Sequence, residues 1–184
     1  MLNKALFSSK KKDWETPEDF YQKLNILLDF TIDLCANEIN AKHENYFSIK
    51  DNALIQDWNN NSGWLNPPYG RGIEEWIKKA SEIKYGSVCC LLPARTDTKY
   101  FHNYIYNNSN AITVFKKGRL KFVGCKDAAP FPSMVVLFAN KESLFQIFKN
   151  LLVNPWLSDN KSEVYTISDI RSYVESVLED VING

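Results

Sequence analysis

Two consecutive prolines, Pro67 and Pro68, cut short an apolar stretch in Gly63-Trp-Leu-Asn-Pro-Pro-Tyr-Gly-Arg-Gly72. Neither proline has a backbone N–H to donate, and each ring fixes φ. The residue before a proline is pushed to extended geometry. Asn66 is therefore expected at a strand end, with its amide and the Pro67 carbonyl held at a stiff corner. Two acceptors, the Asn66 side-chain oxygen and the Pro67 oxygen, suit a single exocyclic amine on an aromatic ring. Tyr69 offers a flat face for such a ring, a contact worth ~1–3 kcal/mol in single-strand binders. The plainer alternative is a Pro-Pro turn leaving a strand, with Tyr69 filling a surface gap.

The chain has 184 residues, enough for one domain with a sizeable core, and 45% of them are hydrophobic, which excludes a disordered chain. No stretch is long enough to span a bilayer, and no secretory signal follows Met1. The four cysteines (Cys35, Cys89, Cys90, Cys125) show no C-x-x-C spacing, and the histidines are His43 and His102. These features predict reduced thiols, an intracellular protein and no metal site. Net charge is zero but unevenly spread. Residues 13–75 hold twelve acids and four bases, whereas residues 76–126 hold ten bases and two acids. That asymmetry suits one face for a cation and another for a polyanion, unless the blocks interleave and cancel in space.

Residues 1–12, with four lysines and no acid, read as a basic mobile arm. Thr16 as N-cap, Pro17 in the first turn and two acids after it predict a helix to about residue 29. Phe30–Ala36 alternates like a strand and ends at a polar turn, where open α/β sheets bind ligands. Asp33 there reads equally well as a ligand group or as an edge or cap residue. Tyr46–Lys50 is a further strand candidate, and residues 73–80 form an amphipathic helix. Ser87–Leu92 is a continuous apolar run, as a central parallel strand requires. Residues 98–107 read as helical and 111–115 as a strand. Lys116–Phe122 reads as a turn into a strand with Lys117, Arg119 and Lys121 on one face, which suits phosphate contact or a lysine-guarded edge. Ser133–Phe138 is a last buried strand, and helices are expected at 142–152, up to the break at Pro155-Trp156, and at 168–182.

Six landmarks in order, spanning residues 13–139, carry a family resemblance. They are Trp14-Glu-Thr-Pro17, Ile32-Asp-Leu-Cys-Ala36 with Asn40-Ala41, Asp51–Trp58, Asn66-Pro-Pro-Tyr-Gly70, Leu91-Leu-Pro-Ala-Arg-Thr-Asp-Thr98 and Lys117-Gly-Arg-Leu-Lys-Phe122. Together they resemble the phage-type DNA N-6-adenine methyltransferase family. The resemblance implies an α/β, Rossmann-like S-adenosylmethionine-dependent methyltransferase fold, a mostly parallel central sheet flanked by helices. Residues 13–184 then form one methyltransferase domain, in which residues 140–184 are a helical extension outside the resemblance. It implies that Asn66, Pro67, Pro68 and Tyr69 hold the target amine. It further implies that Thr16, Pro17, Asp33, Cys35, Ala36, Asp51, Asn52, Asp57 and Asn66 surround S-adenosyl-L-methionine. Asn52 departs from the Asp expected at its position to accept from the cofactor's adenine amine, with Asp51 and Asp57 as alternates.

The implied partner is double-stranded DNA, without metal or membrane, in the cytoplasm of a bacterial or phage-infected cell. Arg95, Lys117, Arg119 and Lys121 are the expected phosphate contacts. The expected chemistry is direct methyl transfer to an adenine taken out of the duplex. The same tetrapeptide also suits an amine on RNA or on a protein glutamine, and a catalytically inactive DNA- or cofactor-binding regulator is a further alternative.

Overall fold

A computed structural model describes residues 14–153 and 165–184. The basic arm at 1–12 and the break at Pro155-Trp156 lie outside them. Helix α1 spans Glu18–Leu28 and buries Phe20, Tyr21, Leu24, Leu27 and Leu28 on one stripe. Glu18 and Asp19 face its positive amino-terminal end. The N-cap is Pro17, in extended conformation, and no side chain caps the helix. Thr16 was expected in that role; its hydroxyl is engaged elsewhere, as shown below.

Strand β1 is only Ile32–Asp33, shorter than the 30–36 alternation predicts. The backbone beyond it still pairs, through Thr31 N–H to Ser62 O and Leu34 N–H to Trp64 O. Tyr46–Lys50 is not a strand; Tyr46 makes one isolated bridge, to Asp33. Strand β2 (Asn61–Leu65) stops one residue before Asn66, as the two prolines dictate. Helix α2 (Ile73–Ser81) packs Ile73, Ile77 and Ala80 inward.

Strand β3 (Gly86–Pro93) opens on a glycine that the fold requires. Gly86 has φ of 85°, and an added Cβ would lie 2.2 Å from the Asn61 carbonyl oxygen. Residues 98–107 are helical as expected from 99 to 105, with Phe101–Ile105 forming a five-residue π-turn. Strands β4 (Ala111–Phe115) and β5 (Ser133–Ala139) and helices α3 (Lys141–Val153) and α4 (Ile167–Asn183) complete the fold. Lys116–Phe122 is not a strand. Its alternation survives, with Leu120 and Phe122 buried and Lys117, Arg119 and Lys121 exposed, because side-chain packing rather than a ladder holds it.

The sheet order is β1-β2-β3-β5-β4. Strands β1, β2 and β3 run parallel, while β5 is antiparallel to both β3 and β4. Four strands thus share one direction. Nearly every residue of β3 and β5 is buried, so both sheet faces are covered. Helices α1, α3 and α4 pack on one another, and α2 packs on the π-turn. Leu91, Leu92 and Leu137 are fully buried, and truncating such a side chain to Ala costs ~2–5 kcal/mol.

Helix α4 begins with a reciprocal capping box between Thr166 and Asp169. It covers the outer edge of β4. Arg171 donates to the Ser109 and Ala111 carbonyls, and Asn183 bonds the backbone at Phe115 and Lys117. A strand edge left open is a template for unwanted pairing, and this helix closes it.

Candidate active site

The carboxyl ends of β1 and β2 lie side by side, with Asp33 opposite Trp64 in register. A cleft of about 460 Å³ opens there, within the roughly 300–1,000 Å³ usual for small-ligand sites. Of the expected residues, Thr16, Asp33, Cys35, Ala36, Asn52, Asn66, Pro67 and Pro68 line it. Pro17, Asp51, Asp57 and Tyr69 are not among the lining residues.

Asn66 is the best defined of these. Its Nδ2 donates to the Trp14 carbonyl at 2.6 Å and to the Thr16 hydroxyl at 3.0 Å. A carbonyl can only accept, so the amide nitrogen must face this way. The other end of the amide, Oδ1, is buried and has no hydrogen-bond partner among the described residues. Buried acceptors are almost always paired, and leaving one unpaired costs ~1–3 kcal/mol. Asn66 lines the cleft, and an acceptor with this unmet valence is suited to a ligand N–H that reaches it.

Asp33 is 3% exposed. Its two oxygens accept from the backbone N–H groups of Cys35 at 3.1 Å and Lys42 at 3.0 Å. It therefore organises the loop from 34 to 42 and forms part of the cleft wall. Burial raises its carboxyl above the ordinary range, opposed by those two amides and by the charges of Lys42 and His43. Beside it, Lys42 pairs with Glu18 at 3.2 Å and Glu15 at 3.7 Å. A cation entering the cleft would favour the ionised Asp33.

Asn52 has φ of 50°, a left-handed conformation that Asn tolerates better than most residues. Asp51 and Asp57 are turn acceptors instead. Asp51 binds the Ser48 amide and hydroxyl, and Asp57 binds the Asn59 amide and side chain. These bonds lower both carboxyls, led by the Ser48 hydroxyl for Asp51 and the Asn59 backbone for Asp57.

Tyr69 departs most from expectation. It is not an open platform but 7% exposed, with its hydroxyl donating to the Leu91 carbonyl at 3.0 Å. Phe122 and Phe131 meet its ring edge-on, at 6.2 and 5.6 Å. Trp14 packs on the same two phenylalanines, at 5.3 and 5.0 Å. The ring is covered because the segment 120–131 folds back over it, a long-range contact.

Sequence reasoning assigned no role to several cleft residues: Trp14, Glu15, Lys42, Phe47, Trp64 and Trp76. Trp14 and Glu15 stand next to Thr16 in a landmark, which was the available signal. Trp76 belongs to the amphipathic helix expected at residues 73–80. Arg95, Lys117, Arg119 and Lys121 are exposed and lie outside the cleft, on loops at the carboxyl ends of β3 and β4. None of the four forms an ion pair among the described residues. Among the described residues, no His, Cys, Asp or Glu cluster could hold a metal, and no helix is long and apolar enough to cross a membrane.

A largely parallel sheet with its cleft at the strand ends, walled by a buried carboxylate and a proline-stiffened amide, defines the class as a Rossmann-like methyltransferase fold. The family model for DNA N-6-adenine-methyltransferase (Dam) matches residues 4–164, and the chain belongs to that family. It is 28% identical over 151 residues to the DNA N-6-adenine-methyltransferase of Haemophilus phage HP1 (strain HP1c1), covering 77% of this chain and 87% of that one. A protein of Escherichia coli (strain K12) provisionally named methyltransferase YfdM is 36% identical over 63 residues, 30% of this chain and 69% of that one.

Proposed function

We propose that the protein transfers a methyl group from S-adenosyl-L-methionine to the exocyclic N-6 amine of adenine in DNA. The observation that carries this reading is the Asn66 amide, whose nitrogen is pinned by Trp14 and Thr16 while its buried oxygen is left unpaired. The cleft residues fit the cofactor: Asp33 offers a negative charge, Asn52 an acceptor, and Trp14, Phe47, Trp64 and Trp76 supply ring surfaces. When bound, the cofactor supplies a methyl already activated on a positively charged sulfur.

The target amine is a weak nucleophile because its lone pair is delocalised into the ring. Asn66 Oδ1 and the Pro67 carbonyl accept its two N–H groups, which turns the lone pair out of the ring plane and toward the methyl. Because the Asn66 amide is already oriented by Trp14 and Thr16, little reorganisation of it is needed at the moment of transfer. The amine nitrogen would gain the methyl as the methyl–sulfur bond breaks, leaving a neutral thioether, and the proton it sheds would pass to solvent. Tyr69, buried against Phe122 and Phe131, braces the proline corner from within. Arg95, Lys117, Arg119 and Lys121 contact phosphates and hold the duplex while the adenine is extruded.

Labelled-methyl incorporation from S-adenosyl-L-methionine tests the reading. Label in N-6-methyladenine of duplex DNA is the expected result. Label in RNA or protein alone overturns the DNA assignment, and no label with intact cofactor binding leaves the regulator reading standing.

A further inference from the structure

Helix α4 (167–183) lies beyond the residues that the family model matches. Its last residue nevertheless reaches the basic loop. Asn183 Nδ2 donates to the Phe115 carbonyl at 3.1 Å, and the Lys117 N–H donates to Asn183 Oδ1 at 2.7 Å. The carbonyl of one residue and the amide two further on point to the same side of a strand. One side-chain amide thus stands in for a partner strand at the place where β4 ends and the loop begins.

Past that point the loop is held again. Leu120 and Phe122 are buried, and the Val123 N–H donates to the Glu15 carbonyl at 3.0 Å. Lys117, Arg119 and Lys121 are therefore displayed between two fixed points, exposed and alternating with buried residues. A cationic segment already held in shape loses less freedom on binding than a loose one.

We propose that Asn183 is a positioning residue for DNA binding: it clamps the start of the Lys117–Lys121 segment so that its cations meet the phosphate backbone in a preset arrangement. This rests on the reading of the protein as a DNA methyltransferase. No contact between Asn183 and DNA is required, since its side chain is committed to backbone.

The test uses the full chain, duplex DNA and S-adenosyl-L-methionine. Asn183→Ala is expected to raise the KM for DNA roughly tenfold, equivalent to ~1.4 kcal/mol. The slope of log affinity against log salt should become shallower by about one. The kcat at saturating DNA and the affinity for S-adenosyl-L-methionine should be unchanged. Asn183→Gln, which keeps the amide but displaces it by a methylene, should show the same KM rise. In a background carrying Lys117→Ala and Arg119→Ala, removing Asn183 should add little, because the cations it positions are gone.

Wild-type affinity and slope in Asn183→Ala overturn the inference alone, provided the wild-type protein binds DNA with the expected salt dependence. Full additivity in the combined variant also overturns it. So does a joint fall of kcat, cofactor affinity and thermal midpoint in both single variants, which is the mark of a merely structural residue. A wild-type protein without salt-dependent DNA affinity overturns the functional reading, and this inference with it.

Discussion

The Asn66 amide nitrogen donates to the Thr16 hydroxyl at 3.0 Å, across 50 residues of sequence. This contact and the one to the Trp14 carbonyl decide which way round the amide sits. Thr16→Val keeps the shape but removes the acceptor. The expected outcome is a kcat reduced about tenfold, the value of one modest hydrogen bond in the transition state. Thr16→Ser should restore most of it. Equal losses in Val and Ser variants would show that the hydroxyl does not orient Asn66.

Replacing Asn66 itself removes the acceptor. Asn66→Ala should lower kcat by ~10²–10³, the range seen when a preorganised polar group is lost. Binding of S-adenosyl-L-methionine, followed by calorimetry, should persist. Asn66→Asp should be no better, because a carboxylate oxygen would then face the Trp14 carbonyl. Wild-type turnover in the Ala variant would remove the proposed mechanism.

Tyr69 separates two contributions. Tyr69→Phe loses the bond to the Leu91 carbonyl, and denaturant unfolding should show a cost of ~0.5–1.5 kcal/mol with methyl transfer largely kept. Tyr69→Ala empties space beside Phe122 and Phe131 and should cost ~3–5 kcal/mol. A Phe variant that folds normally but is inactive would give the hydroxyl a chemical role.

Asp33 yields a pH prediction. Burial raises its carboxyl, so the folded state favours the neutral form. The stability it contributes is full below its ordinary value and is lost as pH rises through the raised one. Relative to Asp33→Asn, the ligand-free protein should therefore lose stability as pH rises from the ordinary carboxylate range through the raised value. Addition of S-adenosyl-L-methionine should return it, since a bound cation favours the carboxylate. Thermal midpoints of both proteins across that range provide the check. A difference that does not vary with pH would contradict the assigned environment.

Much of this fold was legible because its signals are local. Pro67 and Pro68 end β2 whatever surrounds them, and Ser87–Leu92 is too apolar to be anything but interior. The alternation of Lys117, Arg119 and Lys121 with Leu120 and Phe122 was readable too, though not that it lacks a ladder. What failed depends on distant partners. Thr16 has every local mark of a helix cap, yet its hydroxyl serves Asn66. Tyr69 looked open because nothing near it in sequence covers it; Phe122 and Phe131 do. The reversed direction of β5 left no mark, since a strand buried on both faces reads alike either way.

That reversal has an engineering consequence. Because β5 returns directly beside β4, residues 116–132 form a hairpin excursion at the rim beside Asn66, with no crossover helix to disturb. The excursion is no free loop, since Phe122 and Phe131 pack on Tyr69 and Trp14 and the Val123 N–H holds the Glu15 carbonyl. An exchange of charge that leaves the wall around Asn66 as it stands is therefore confined to its exposed positions, such as Lys117, Arg119 and Lys121.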